Sequence, residues 1–137
     1  MKIRLADYVA ELLVKNGISH CFTVTGGGAM HLNDAFGHKE GLTCTYNHHE
    51  QACAIAGEAY ARINNELALV CVTTGPGGTN ALTGVVGAYL DSIPMLVISG
   101  QVRYDTSARG MGLNVRAGGD QEFDITKAVA SDRKSVV

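Results

Sequence analysis

The stretch Leu67-Ala68-Leu69-Val70-Cys71-Val72-Thr73-Thr74-Gly75-Pro76-Gly77-Gly78-Thr79-Asn80 decides the fold. Its first seven residues form a continuous apolar run, with Asn64-Asn65 before it and Gly75-Pro76 after it. A run of this kind, without polar alternation, predicts a strand covered on both faces, as in a parallel sheet held between crossover helices. The glycines then release the chain into a helix expected over residues 79–90.

The same strand, turn and helix grammar recurs on either side. Cys21 to Thr25 reads as a strand, Gly26-Gly27-Gly28 as its turn, and Ala29 to Phe36 as a helix stopped by Gly37. Leu42 to Tyr46 reads as another strand. After it, Asn47-His48-His49-Glu50-Gln51 opens an alanine-rich helix over 49–63. Met95 to Ser99, introduced by Pro94, is a further buried strand. Ahead of them all, Leu5, Val9, Leu12 and Leu13 recur at helical spacing and Gly17 suits the position just past a helix end. The fold class expected is α/β: a three-layer α/β/α arrangement around a parallel, doubly wound sheet.

The 137 residues, 46% hydrophobic, suffice for one domain (1–137) with a core and are too few for two. A formal charge of −2 and a pI near 6.2 give no electrostatic footprint for nucleic acid or an anionic membrane surface, so neither partner is expected. Cys21, Cys44, Cys53 and Cys71 lie inside apolar patterns without a C-x-x-C pair, which predicts reduced, buried thiols. No run approaches the roughly 20 apolar residues of a membrane span, and the amino terminus lacks the apolar core of a secretion signal. A soluble, cytoplasmic protein is expected.

From Val102 to Gly119 the texture changes, with Arg103, Arg109 and Arg116 among glycines and small polar residues; a long mobile loop is expected. Phe123 to Ala130 reads as a short helix leading into Ser131-Asp132-Arg133-Lys134. Ser135-Val136-Val137 resembles the start of another apolar run and suggests a continuation of the chain.

Glu50 is the lone acid at a strand-to-helix join. Open α/β sheets place their ligands at the carboxyl ends of strands. Burial there raises a carboxyl pKa and the helix amino terminus lowers it, which suits an acid sharing a proton with a weak base. Standing beside this is the plain alternative of a glutamate favoured in the first turn of its helix. His49 and Cys53 lie four apart on one helical face, but a third ligand at recognisable spacing is missing. Gly75 to Asn80 could pass for a phosphate cradle, yet it lacks the Gly-Lys-Ser/Thr ending of a nucleotide loop, and Gly26-Gly27-Gly28 is not the spaced dinucleotide fingerprint. Both are open to the reading of ordinary tight turns or of backbone approaching a flat ring.

Taken together and in order, FTVTGGGA (22–29), His49-Glu50-Gln51-Ala52, TTGPGGTN (73–80), Leu90-Asp91-Ser92-Ile93-Pro94 and Gly119-Asp120-Gln121-Glu122 resemble the amino-terminal pyrimidine-binding domain of thiamine diphosphate-dependent enzymes, nearest to the acetolactate synthase large subunit. The resemblance covers nearly the whole chain. It implies that Glu50 is the acid at the far ring nitrogen of the cofactor aminopyrimidine, with Pro76 and Asn80 against that ring. It also implies that Thr25, Gly26 and Gly27, in the turn running on to Gly28, border the reactive carbon, and that Gln121 lies near cofactor and substrate. Two departures from the family pattern, Thr25-Gly26 for an aromatic and proline and Asp120 for a phenylalanine, fall on the substrate side.

The resemblance further implies decarboxylation of a 2-ketoacid such as pyruvate with carboligation, in branched-chain amino acid biosynthesis. Mg²⁺ would be held by a diphosphate-binding domain that the chain does not contain, supplied by a partner subunit, and FAD could accompany the complete enzyme. The small residues Ala52, Ala54, Ala56, Gly57, Ala59 and Ala61, with Gly84, Gly87 and Ala88, imply a homodimer or tetramer, against the alternative of close packing within the chain. Two other readings stay open: the α subunit of a split sulfopyruvate or phosphonopyruvate decarboxylase, and a noncatalytic metabolite-binding module.

Overall fold

A computed structural model describes residues 2–130. The expected segments Ser131-Asp132-Arg133-Lys134 and Ser135-Val136-Val137 lie outside the described residues. In chain order the elements are α1 (Leu5–Lys15), β1 (His20–Thr23), α2 (Met30–Gly37), β2 (Thr43–Tyr46), α3 (Glu50–Asn64), β3 (Ala68–Val72), α4 (Pro76–Leu90), β4 (Met95–Ser99) and α5 (Ile125–Ala128). Short 3-10 turns at Gly27–Ala29 and Tyr104–Thr106 complete them.

The four strands form one all-parallel sheet in the order β2-β1-β3-β4. Cys21 pairs with Cys44 on one side and Leu69 on the other, and Leu69 pairs with Leu96. All five residues of β3 are buried, as its unbroken apolar run requires. On one face α1 and α2 cover a core built from Leu13, Ile18, Cys21, Phe36, Leu69 and Cys71. On the other, α3 and α4 cover Phe22, Cys53, Ala54, Val70 and Val72. Those are the three layers expected of a doubly wound sheet.

Strand order reverses between β1 and β3. The loop after β1 leads to α2 on one face and the loop after β3 leads to α4 on the other, so a crevice opens where the two part. Several local readings change. On α1 the packed residues are Ala6, Val9, Ala10 and Leu13, whereas Leu5 and Leu12 are exposed, because a wide helical stripe only partly meets the sheet. β4 is half-buried rather than fully buried, since it is the edge of the described sheet. α4 begins at Pro76, three residues before its expected start: proline is preset for the first helical position, and Gly77 and Gly78 are its first turn. Around α5, the expected helix over 123–130 contracts to four residues.

The loop over 102–119 is not unorganised, as described below. The cysteines are all free, three of them buried and Cys44 half-buried. No helix among the described residues is long and apolar enough to cross a membrane.

Candidate active site at the strand switch point

Thr73, the residue that closes β3, is the centre of the site. Its hydroxyl accepts the Gly28 N–H at 3.1 Å, which ties the turn after β1 to the end of β3. A Cβ built on Gly26 would lie 2.5 Å from Thr73 Cβ, and one on Gly77 would lie 2.7 Å from Thr73 Cγ2. Side chains at either glycine are therefore excluded, and the two turns close on Thr73 from opposite sides. Gly100, at the end of β4, packs so tightly on the Gly28 carbonyl and the Ala29 nitrogen that it too excludes a Cβ.

On one side of Thr73 stands the acid. Glu50 is the first residue of α3, half-buried, and its Oε2 accepts a hydrogen bond from Asn80 Nδ2 at 3.1 Å. Glu50 Oε1 lies 3.6 Å from where a Gly77 Cβ would sit. So the carboxylate is held beside the first turn of α4, where Gly77 packs on Thr73. His49 Nδ1 caps α3 by accepting the Gln51 N–H at 3.2 Å, while Cys53 is buried in the core. Among the described residues no three His, Cys, Asp or Glu side chains gather into a group that could hold a metal.

On the other side of Thr73 is a cleft of about 560 Å³ lined by Gly26, Gly27, Gly28, Thr74, Asp120 and Gln121, with Gln101 and Arg103 above them. Gln121 adopts φ +53°, and its carbonyl oxygen faces Gly75, itself at φ +56°, so closely that no Cβ fits there. The Thr74 hydroxyl, 2.7 Å from Gln101 Oε1, is also within 3.4 Å of that carbonyl. Thr25 is exposed and is not among the cleft residues.

The site thus has two lobes joined by Thr73. Glu50, Gly77 and Asn80 make the first, and Gly26 to Gly28 with Asp120 and Gln121 make the second. Pro76 is exposed at the start of α4, between Gly75 and Gly77. Thr73, Thr74 and Gln101 were not singled out from sequence. The signal was the hydroxyl pair that ends an otherwise apolar strand, but only the tertiary fold shows that these hydroxyls face the neighbouring turns. Asn33 also escaped notice; from α2 its side chain lies between the Thr23 hydroxyl, at 3.3 Å, and the Gly26 N–H, at 3.4 Å.

The chain matches, over residues 3–128, the family described as thiamine pyrophosphate enzyme, N-terminal TPP binding domain. It is 44% identical over 97 residues to an acetolactate synthase large subunit of Buchnera aphidicola (Schizaphis graminum strain), covering 71% of this chain and 17% of the relative. The large subunit of acetolactate synthase isozyme 3 of Escherichia coli is 40% identical over the same shares. The chloroplastic acetolactate synthase of Arabidopsis thaliana is 35% identical, over 71% of this chain and 14% of its own length. The chain spans less than a fifth of the length of these relatives.

Proposed function

The chain belongs to the thiamine pyrophosphate enzymes, as an N-terminal TPP-binding domain, and from that premise we propose that it seats and activates the cofactor's aminopyrimidine in an acetolactate synthase-like enzyme. The observation that carries this is the half-buried Glu50 carboxylate held by Asn80 beside the first turn of α4. An edge nitrogen of a flat heteroaromatic ring can meet such a carboxyl oxygen. The residues present fit the group.

Bound thiamine diphosphate supplies a stabilised carbanion equivalent for the cleavage and formation of carbon–carbon bonds next to a carbonyl. Glu50 would hold a proton at its carboxyl oxygen for a ring nitrogen of the bound group. Asn80 donates to Oε2, which restrains the carboxyl rotamer and leaves Oε1 for that role. Pro76 and Gly77 would present the start of α4 to the ring, and Gly26 and Gly27 would border the substrate from the second lobe. Thr25 would lie on the substrate side, and Gln121 would supply a polar group from the cleft wall.

The substrate is a 2-ketoacid such as pyruvate, joined to a second ketoacid in the route to branched-chain amino acids. Mg²⁺, the cofactor diphosphate and any FAD of the complete enzyme would be held by parts outside this domain, with the diphosphate-binding domain of a partner subunit closing the site. Exposed apolar side chains on α3 and α4, among them Ile55, Ile63, Val86 and Leu90, support a homodimer, or a tetramer built from it, through these two helices. Four free thiols suit a reducing cytoplasm.

Glu50→Gln in the complete enzyme tests the proposal. It keeps size and hydrogen bonding but removes the acid. With saturating Mg²⁺ and thiamine diphosphate, thiazolium proton exchange and ketoacid turnover should fall about 10²- to 10⁴-fold. Rates within about threefold of wild type, under about 1 kcal/mol of barrier, would remove Glu50 from the mechanism and the proposal with it.

A further inference from the structure

Glu122 organises the loop that walls the second lobe. Its Oε2 accepts N–H groups from Ala108 at 2.9 Å, Gly118 at 2.7 Å and Gly119 at 3.0 Å, and its Oε1 lies 3.1 Å from the Ala108 nitrogen. Residues 109–117 lie between these donors, so one carboxylate closes the neck of the loop. The approach is tight: a Cβ on Gly118 would sit 2.9 Å from the Ala108 nitrogen. A carboxylate, with acceptor oxygens only, suits a convergence of N–H groups that a neutral amide cannot satisfy without turning a donor toward donors. Those N–H groups, Ala108 first, hold its pKa below the usual carboxylate value.

Just before it in sequence, Gln121 is fixed from the opposite side, at φ +53° with its carbonyl against Gly75 and the Thr74 hydroxyl. Asp120 and Gln121, which line the cleft, therefore lie beside two clamps, one on the end of β3 and one on the loop neck. Neither clamp touches Glu50 or Asn80.

We propose that Glu122 is a positioning residue that ties the loop neck and thereby sets the Asp120–Gln121 wall against the Gly26–Gly28 turn, controlling how a 2-ketoacid seats. This rests on the thiamine reading given above. A structural role alone would lower stability or expression. A positioning role places the loss on the Michaelis constant for the ketoacid more than on kcat.

The test has two arms, with Glu122→Gln and the charge-retaining Glu122→Asp. In the first, which needs no cofactor or turnover, hydrogen exchange at Ala108, Gly118 and Gly119 and trypsin cleavage after Arg109 and Arg116 are followed in the full-length chain. The amides of β3 report in the same run that the fold persists. Glu122→Gln should speed exchange and cleavage about tenfold or more, as the loss of charge-assisted bonds implies, and Glu122→Asp should speed them less. In the second arm, on the complete enzyme with Mg²⁺ and thiamine diphosphate, KM for pyruvate should rise about 10- to 100-fold, with a smaller fall in kcat.

Unchanged protection of the loop in Glu122→Gln overturns the clamp. A released loop with KM moved less than about threefold, in an enzyme that Glu50→Gln inactivates, overturns the positioning role and leaves the thiamine reading intact. A wild-type enzyme without thiamine-dependent turnover sinks that reading and the seating role built on it, while the first arm still decides the clamp.

Discussion

Cys21 and Cys44 face each other across β1 and β2, and their environments divide them. Cys21 is fully buried, and its thiol is pushed far up by its neighbour Cys44 and by burial. Cys44, half-buried on the edge strand, is drawn below the ordinary thiol value by its neighbour Cys21. Burial raises Cys53 to about 11 and Cys71 to about 12. Thiolate is the nucleophile, so alkylation should increase as pH rises through a group's pKa. Iodoacetamide labelling followed by peptide mass mapping should therefore modify Cys44 first, with a midpoint below that of an ordinary thiol, and leave Cys21, Cys53 and Cys71 unmodified until the fold opens. Labelling of all four at equal rates would contradict these environments. Residue type and motif order were enough to mark Glu50 from sequence, because an acid at a strand-to-helix join is conspicuous. They did not mark Glu122, whose importance lies in N–H groups brought to it from residues 108, 118 and 119.

At the scale of elements, Ala54 and Gly84 bring α3 and α4 together within the chain. A Cβ on Gly84 would lie 2.6 Å from Ala54 Cβ and 2.8 Å from the Ile55 nitrogen, so the two helices cross with almost no side chain between them. Gly87, one turn further, would meet only the end of the flexible Glu58 side chain, at 3.3 Å. These contacts predict opposite signs for one substitution. Gly87→Ala should stabilise by about 0.5–1 kcal/mol through reduced backbone entropy. Gly84→Ala gains the same term but must force the helices apart, which costs about 1–3 kcal/mol, so a net loss of roughly 1 kcal/mol is expected. Urea denaturation of the two variants beside wild type measures both; a stabilised Gly84→Ala would show that the helices can part freely. Periodicity identified α3 and α4 from sequence but could not tell internal packing from packing on a partner, since both require small residues.

At the scale of the molecule, Ile55, Ile63, Val86 and Leu90 remain exposed after α3 and α4 have packed together, with Ile63 82% and Leu90 73% accessible. Two such residues on adjoining helices are costly to leave in water, at about 25 cal/mol per Å² of apolar surface. Sedimentation velocity on the complete enzyme should show a dimer or larger species, and Ile63→Glu with Leu90→Glu should convert it to monomer while the circular dichroism spectrum holds. A dimer that persists in the double variant places the interface elsewhere.

Sequence by itself determined the class of fold and the order of its parts. The unbroken apolar run of β3, the glycine turns after β1 and β3 and the helix between each pair of strands admit few arrangements other than a parallel α/β sheet, because hydrophobic periodicity and turn chemistry are local. It also marked Glu50, Asn80 and the glycines. Only the tertiary structure decided that strand order reverses between β1 and β3, that Thr73 joins two lobes there, and that Glu122 holds the loop beside Gln121. Those facts depend on which strand ends become neighbours, and a hydrogen bond between residues 45 positions apart, as between Gly28 and Thr73, leaves no periodic trace in the chain that makes it.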